Sequence, residues 1–270
     1  MECMQNYVKL FGIEMYLTRV AFEVFGKPIY WYGIIIAIGF LLGVLLVLHY
    51  SKRVDIKSND IYDFILWVTP ISLIGARLYY CIYEWEYYKD NLLEIFYIWH
   101  GGIAIYGAII AAVIVALVFC KIKKIPFFNF ADVAVLGLIT GQIIGRWGNF
   151  MNVEAYGYET ALPWGMTIVN DQLQKITVHP TFLYESLWNL AVLALLIFLF
   201  TRKRKFPGIV FWSYVSLYGL GRFWIEGLRT DSLMLGNIRI SQMVALFSFL
   251  AGSAMILYHL RQLKKEKTET

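Results

Sequence analysis

Seven apolar runs separated by short polar loops leave this chain few ways to fold. They lie near residues 30–48, 61–83, 103–120, 128–146, 182–200, 207–225 and 240–259. Each is about long enough to cross a hydrocarbon core of roughly 30 Å. Inside lipid every backbone N–H and C=O needs an internal partner, which a helix supplies by itself. The expectation is therefore an all-α, polytopic membrane protein. It has seven transmembrane helices and a small extracytoplasmic region, in a single integral membrane domain over 1–270. Charged residues make up only 16% of the chain, against about 25% in a soluble domain, which leaves no room for a second, soluble domain. The first run is too long for a cleavable signal peptide and lacks an A-x-A exit. Residues 1–29 read as an extracytoplasmic or interfacial segment with a weak signal for a short helix.

The net charge of +5 does not point to nucleic acid, because the basic residues sit in clusters between apolar runs and act as topology signals. Lys52, Arg53 and Lys57 follow the first run, and Lys121, Lys123 and Lys124 the third. Arg202 to Lys205 follow the fifth, and Arg261, Lys264, Lys265 and Lys267 the seventh. All four clusters then face the cytoplasm together with the C-terminus, and the N-terminus is outside. The loop before the third run is acidic, with Glu84, Glu86, Asp90 and Glu94. Cys3, Cys81 and Cys120 show no paired spacing, so neither a disulfide framework nor a metal site is expected, and no cofactor is called for.

This orientation sorts the unusual polar residues. Tyr32, Arg77, Tyr106, Arg146 to Gly157, His179, Glu185, Tyr218, Arg222, Glu226 and Arg229 all fall toward the outer ends of their runs. They are read as one polar cavity opening outward. Intramembrane charges are costly and usually have a partner and a function. Arg77, Arg146, Arg222 and Arg229 offer planar forks suited to phosphate. Glu154, Glu185, Glu226 and Asp231 are the acids near enough to offset them. Arg222 and Glu226, four apart on one helix face, are an expected pair. The G-x-x-x-G pairs Gly39/Gly43 and Gly141/Gly145 read as helix-packing positions. An anionic ligand bearing hydroxyls, such as a phospholipid headgroup, fits the arginines, asparagines and glycines together.

The densest stretch is G-R-W-G-N-F-M-N-V-E-A-Y-G, Gly145 to Gly157, at the head of an expected extracytoplasmic loop over 147–181. By itself it also suits a capped helix end with an arginine snorkelling to water. Five further motifs accompany it in order. They are W-Y-G (Trp31–Gly33), G-A-R-L-Y-Y (Gly75–Tyr80), the glycine-rich Trp99–Gly107, H-P-T-F-L-Y-E (His179–Glu185) and Tyr218–Arg229. On these motifs the chain resembles the prolipoprotein diacylglyceryl transferase family over nearly its whole length.

The resemblance implies a bacterial cell-membrane enzyme. It implies transfer of the sn-1,2-diacylglyceryl group of phosphatidylglycerol to the lipobox cysteine thiol of a preprolipoprotein. A thioether forms and glycerol-1-phosphate leaves. The implied partners are phosphatidylglycerol, the preprolipoprotein and the bilayer. Arg146 matches the arginine that binds phosphatidylglycerol, and Arg222 a second essential arginine. Asn149, Glu154 and Gly157 match other signature positions, and Tyr32 and Tyr218 match functional tyrosines. The catalytic candidates are Arg146, Arg222, Tyr106 and Glu154. The substrate-binding candidates are Arg146, Asn149, Tyr32, Arg77, Gly157, Tyr218, Glu226 and Arg229. One departure stands out: many members carry histidine where this chain has Tyr106, which leaves the base open. His100 is not the aligned position, and His179 reads as structural. The competing class is a transporter or flippase for an anionic solute or lipid, although the halves show no inverted repeat.

Overall fold

The computed structural model describes residues 6–170, 172–232, 234–236 and 238–269. Among them are seven helices of 19 residues or more. These are α1 (Trp31–Ser51), α2 (Ser58–Tyr83), α4 (Ile105–Lys123), α5 (Phe127–Asn152), α6 (Thr181–Arg202), α7 (Ile209–Leu228) and α8 (Ile240–Glu269), with a one-turn α3 (Trp85–Tyr88) between α2 and α4. Six of the seven are long and apolar enough to cross a membrane. The exception is α7, which has the length but carries Ser213, Ser216, Arg222 and Glu226. Ser213, Ser216 and Glu226 are buried, so its polarity is turned inward.

The chain divides into two compact units, residues 1–47 with 132–270, and residues 48–131. In the first, α1 runs antiparallel to α5 on small residues. A side chain at Gly43 would meet the carbonyl oxygen of Gly137 at 2.7 Å, and one at Gly39 the Cβ of Ile144 at 3.2 Å. The expected Gly39/Gly43 pair thus packs a helix. On α5, however, the close approach falls on Gly137, while Gly141 has open space and Gly145 meets only Ile36. At its other end Asp132, fully buried, accepts hydrogen bonds from the backbone N–H of Gly208 (2.9 Å) and Phe211 (2.8 Å). It thereby satisfies donors that the first turn of α7 leaves free. In the second unit α2 and α4 pack at Gly75 and Gly107, where a Cβ on either glycine would collide with the other's backbone.

The N-terminal segment departs from the expected short helix. It forms β1 (Asn6–Leu10), β2 (Ile13–Leu17), β3 (Val20–Val24) and β4 (Lys27–Tyr30). Two further strands, β5 (Met166–Val169) and β6 (Lys175–Val178), lie within the expected loop over 147–181. They join in an antiparallel sheet of order β2-β1-β5-β6, while β3 and β4 form a separate hairpin. A last short pair, β7 (Met234–Leu235) and β8 (Ile238–Arg239), precedes α8. The β1–β2 and β3–β4 connections are both Phe-Gly with φ positive at each residue. That is the backbone of a two-residue hairpin turn whose twist suits the strands. Val8, Leu10, Met166, Ile168 and Val178 close a core with Phe150 of α5 and Phe182 of α6. The sheet is therefore seated on the ends of the two helices that carry the signature residues.

Candidate active site

Three helix-borne or helix-flanking arginines meet around one carboxylate. Glu185 stands in the first turns of α6, whose N-cap position is Pro180, two residues past the end of β6. It is buried. One of its oxygens pairs with Nε of Arg146 on α5, and the other with Nη1 of Arg222 on α7. Arg229, just past α7, reaches the second oxygen at 4.0 Å. Arg222 also pairs through Nη2 with buried Glu226, the expected i, i+4 contact. A fork of Arg229 holds Asp231 through Nε (2.9 Å) and Nη2 (2.7 Å). That bidentate bond keeps the Asp231 carboxyl below its ordinary range.

The signature stretch builds the other wall. Helix α5 runs on to Asn152, beyond the expected end at 146, so Arg146 and Asn149 lie one turn apart on one face. Arg146 Nη1 donates to Asn149 Oδ1 at 3.2 Å, and Asn149 Nδ2 donates to Glu154 Oε1 at 2.8 Å. The helix ends where Val153 and Ala155 take positive φ (53° and 58°). A β-branched residue there is a strained exception, and it turns Glu154 back so that its N–H meets the Asn149 carbonyl at 3.1 Å. Trp147 Nε1 donates to Ser186 Oγ (3.2 Å), whose hydroxyl donates to the Ile143 carbonyl (3.1 Å). These bonds lock α5 to α6 beside the cluster.

Glycines admit the close approaches. A Cβ at Gly157 would lie 2.7 Å from the Leu228 carbonyl oxygen and 2.8 Å from His179 Cβ. There the strand-like segment at 157–158 pairs with the backbone after α7. A Cβ at Gly148 would meet the Tyr32 ring at 2.8 Å, so Tyr32 of α1 packs directly against the signature helix. Arg146, Asn149, Ala155, Thr181, Phe182, Glu185 and Arg229 line a recess packed so tightly that no water-sized space is left.

The structure thus gathers Arg146, Asn149, Glu154, Arg222, Glu226 and Arg229, and places Gly157 and Tyr32 as packing partners of that framework. Tyr218, one turn before Arg222, stacks on Tyr214 (centroids 5.5 Å apart), whose hydroxyl accepts a hydrogen bond from Gln142 (2.9 Å). His179 is tied to the Tyr184 hydroxyl at 3.2 Å, which accepts from Trp164 at 2.9 Å. That network suits the structural reading. Sequence reasoning under-reads one member of the site and misses another. Glu185 is the last residue of its motif, yet in the sequence it reads only as an offsetting charge. Arg239 has no motif, yet it donates to the Glu226 carbonyl and, at 2.8 Å, to the Tyr158 hydroxyl.

Arg77 and Tyr106 belong to the other unit. Arg77 is buried, and its donors go to main-chain carbonyls: Ile95 (3.0 Å), Gly101 (2.6 Å), Gly102 (2.8 Å), Tyr97 and Glu94. With the whole guanidinium engaged, Arg77 clamps the 94–102 loop, and none of its N–H groups remains for a phosphate. Tyr106 stands in the first turn of α4, its ring 6.5 Å from that of Tyr79. The side chain of His100 lies outside the described residues.

A family model for prolipoprotein diacylglyceryl transferase matches residues 19–258. A phosphatidylglycerol–prolipoprotein diacylglyceryl transferase of Finegoldia magna is 46% identical over 249 residues, covering 92% of this chain and 98% of the relative. Its counterpart from Clostridioides difficile is 44% identical over 251 residues, covering 93% and 98%. That of Limosilactobacillus reuteri is 46% identical over 261 residues, covering 94% of each. Apolar helices and the arginine–glutamate cluster on its signature motifs agree with these matches: the chain is a multi-pass bacterial membrane protein and belongs to the prolipoprotein diacylglyceryl transferase family.

Proposed function

We propose that this chain transfers the diacylglyceryl group of phosphatidylglycerol to the lipobox cysteine thiol of a preprolipoprotein. The observation that carries the reading is the convergence of Arg146, Arg222 and Arg229 on Glu185. Three planar cations held at one spot are suited to a phosphate that gains charge as it leaves. In the reaction the thiol loses its proton and the thiolate attacks C3 of the diacylated glycerol. A C–S bond forms, and the C–O bond to phosphate breaks with its electron pair on oxygen. Glycerol-1-phosphate leaves with a thioether behind. A thiol with an ordinary pKa near 8.5 is mostly protonated at neutral pH, and a field of arginines in a low-dielectric site favours the thiolate.

The recess is closed by the arginines' own carboxylates, so phosphate binding requires it to share or displace them. Arg146 spends Nε on Glu185 and Nη1 on Asn149. Turning its outer edge to phosphate keeps the Glu185 contact as a hinge. Glu185, Glu226 and Asp231 then act as positioning carboxylates, and Asn149 and Glu154 hold Arg146 from the other side. Tyr106 is assigned to orienting the thiol or assisting its deprotonation. For orientation, we place the N-terminus and the cluster on the outer side, with α7 as the seventh span. Support comes from the four Lys/Arg clusters at the C-terminal ends of α1, α4, α6 and α8. The transporter alternative draws no support from the family.

The reading is tested with purified protein, phosphatidylglycerol vesicles and a lipobox peptide. The expected result is a peptide mass gain of one diacylglyceryl unit with release of glycerol phosphate in equal amount. Absence of that adduct with an intact, folded protein overturns it.

A further inference from the structure

The β3–β4 hairpin stands apart from the four-stranded sheet of its unit. Among the described residues it pairs with no other strand, and a lone two-stranded hairpin is marginal at best in water. Its register sets Phe22 opposite Ile29, Glu23 opposite Pro28 and Val24 opposite Lys27. Cross-strand partners share a face, so one face carries Phe22, Val24, Ile29 and Lys27, and the other Glu23 and Pro28. The first face is therefore apolar except for one lysine. Phe22, Val24 and Ile29 are all exposed, and Phe25 at the tip is completely so. Phe25 also holds φ at 49°, where asparagine, aspartate or glycine is the usual choice and a bulky side chain is a strained one. No contact among the described residues repays that strain, because Phe25 is fully exposed.

The neighbouring helices fix the position of the hairpin. Tyr30 ends β4, and Trp31 opens α1, one of the membrane-length helices. At the hairpin's base the Trp31 N–H donates to the Arg19 carbonyl (3.0 Å), and the Arg19 guanidinium donates to the Asn152 carbonyl at the end of α5 (3.3 Å). Two membrane-length helices therefore tie down the base of the hairpin, α1 at its N-terminus and α5 at its C-terminus.

We propose that the β3–β4 hairpin is a membrane-seated element. It lays Phe22, Val24, Phe25 and Ile29 into the headgroup–acyl boundary of the bilayer, with Lys27 snorkelling to lipid phosphate and Glu23 turned to water. The occupant is the lipid surface, because the hairpin is continuous with a span and its exposed face is apolar with a cation at the rim. The unsupported hairpin, the outward Phe25 and the strain of its turn then share one cause. The same hairpin, through Pro28, Ile29 and Tyr30, forms one wall of a groove of about 750 Å³ whose other wall includes Tyr32, Ile34 and Asn152. Seating the hairpin places this groove at headgroup level. The inference does not depend on the reaction.

The test is the depth of spin labels in nanodiscs of phosphatidylethanolamine and phosphatidylglycerol. Cys3 is replaced by Ser, and Cys81 and Cys120 are buried. Labels go on Phe25→Cys, Val24→Cys and Glu23→Cys. Val24 has ordinary strand backbone, so its label reads the face even where the turn tolerates Cys poorly. Labels at 24 and 25 are expected to be relaxed several-fold more by oxygen than by a water-soluble nickel chelate, and the label at 23 the reverse. Equal access of the nickel chelate to positions 23 and 24 would overturn the proposal, as would equal exclusion from both.

Discussion

Replacing Glu185 by Gln separates a charge that organises the arginines from one that merely accompanies them. In the wild-type protein each carboxylate oxygen serves one guanidinium, Oε2 for Arg146 and Oε1 for Arg222, with Arg229 at 4.0 Å from the latter. Glutamine keeps the shape but offers one oxygen and one NH2. Whichever way the amide turns, either Arg146 or Arg222 faces a donor. A unit charge pair at 4 Å is worth about 4 kcal/mol at an effective dielectric of about 20. Breaking a buried pair from one side costs about 3–5 kcal/mol in practice. Part of that appears as lost stability. The remainder appears as misplacement of the guanidiniums, and an error of about 1 Å in a positioning group costs on the order of 100-fold in rate. The expected outcome for Glu185→Gln is a kcat about 100-fold lower in the lipobox-peptide assay. KM for phosphatidylglycerol is unchanged or lower, because the freed arginines still attract phosphate. A kcat within threefold of wild type, in a protein that also melts at the wild-type temperature, would refute Glu185 as the organiser of the site.

Gly157→Ala puts a methyl against the Leu228 carbonyl and His179; overpacking of this kind costs about 1–3 kcal/mol. A lower melting temperature with falling activity is expected, and an unchanged one contradicts the close approach. Tyr106→Phe keeps the ring and removes the hydroxyl, so turnover should fall strongly, while Tyr106→His should keep substantial activity with a shifted acid limb in the pH–rate profile. Wild-type turnover of Tyr106→Phe across pH would remove the hydroxyl from the reaction. A cysteine in the Arg202–Lys205 loop should react in intact cells with permeant thiol reagents alone; labelling by an impermeant one reverses the orientation.

The helices are legible in the sequence because apolar runs of membrane length can hardly do anything else. Each of the seven runs is a long helix, with most ends shifted by a few residues. Helix α8 runs on furthest past its expected end, to Glu269, and helix α5 next, to Asn152. The α5 signature residues look like loop in a hydropathy reading, because Arg146, Asn149 and Asn152 are polar, yet they continue the helix, with Arg146 paired to Glu185 of α6 and Asn149 bonded to Glu154. The strands are not legible. They are two to five residues long, and β1 pairs with β5 across more than 150 positions of chain, a distance over which no local pattern carries. The site is half legible. Motif spacing finds the arginines, but only the packed structure makes Glu185 their common partner. Nothing in the sequence distinguishes Arg77, whose donors are spent on loop carbonyls, from arginines that remain near the cluster.

Turnover of Arg146→Lys tests the central claim most directly. Lysine keeps the charge at the signature position but loses the planar fork that joins Glu185 on one edge and Asn149 on the other. Measured as diacylglyceryl transfer to a lipobox peptide, at matched expression and folding, activity should drop by about 100-fold or more, the typical cost of removing one donor to a developing oxyanion. Near wild-type turnover with lysine would mean that charge alone suffices, and the assigned role of the arginine cluster would be wrong.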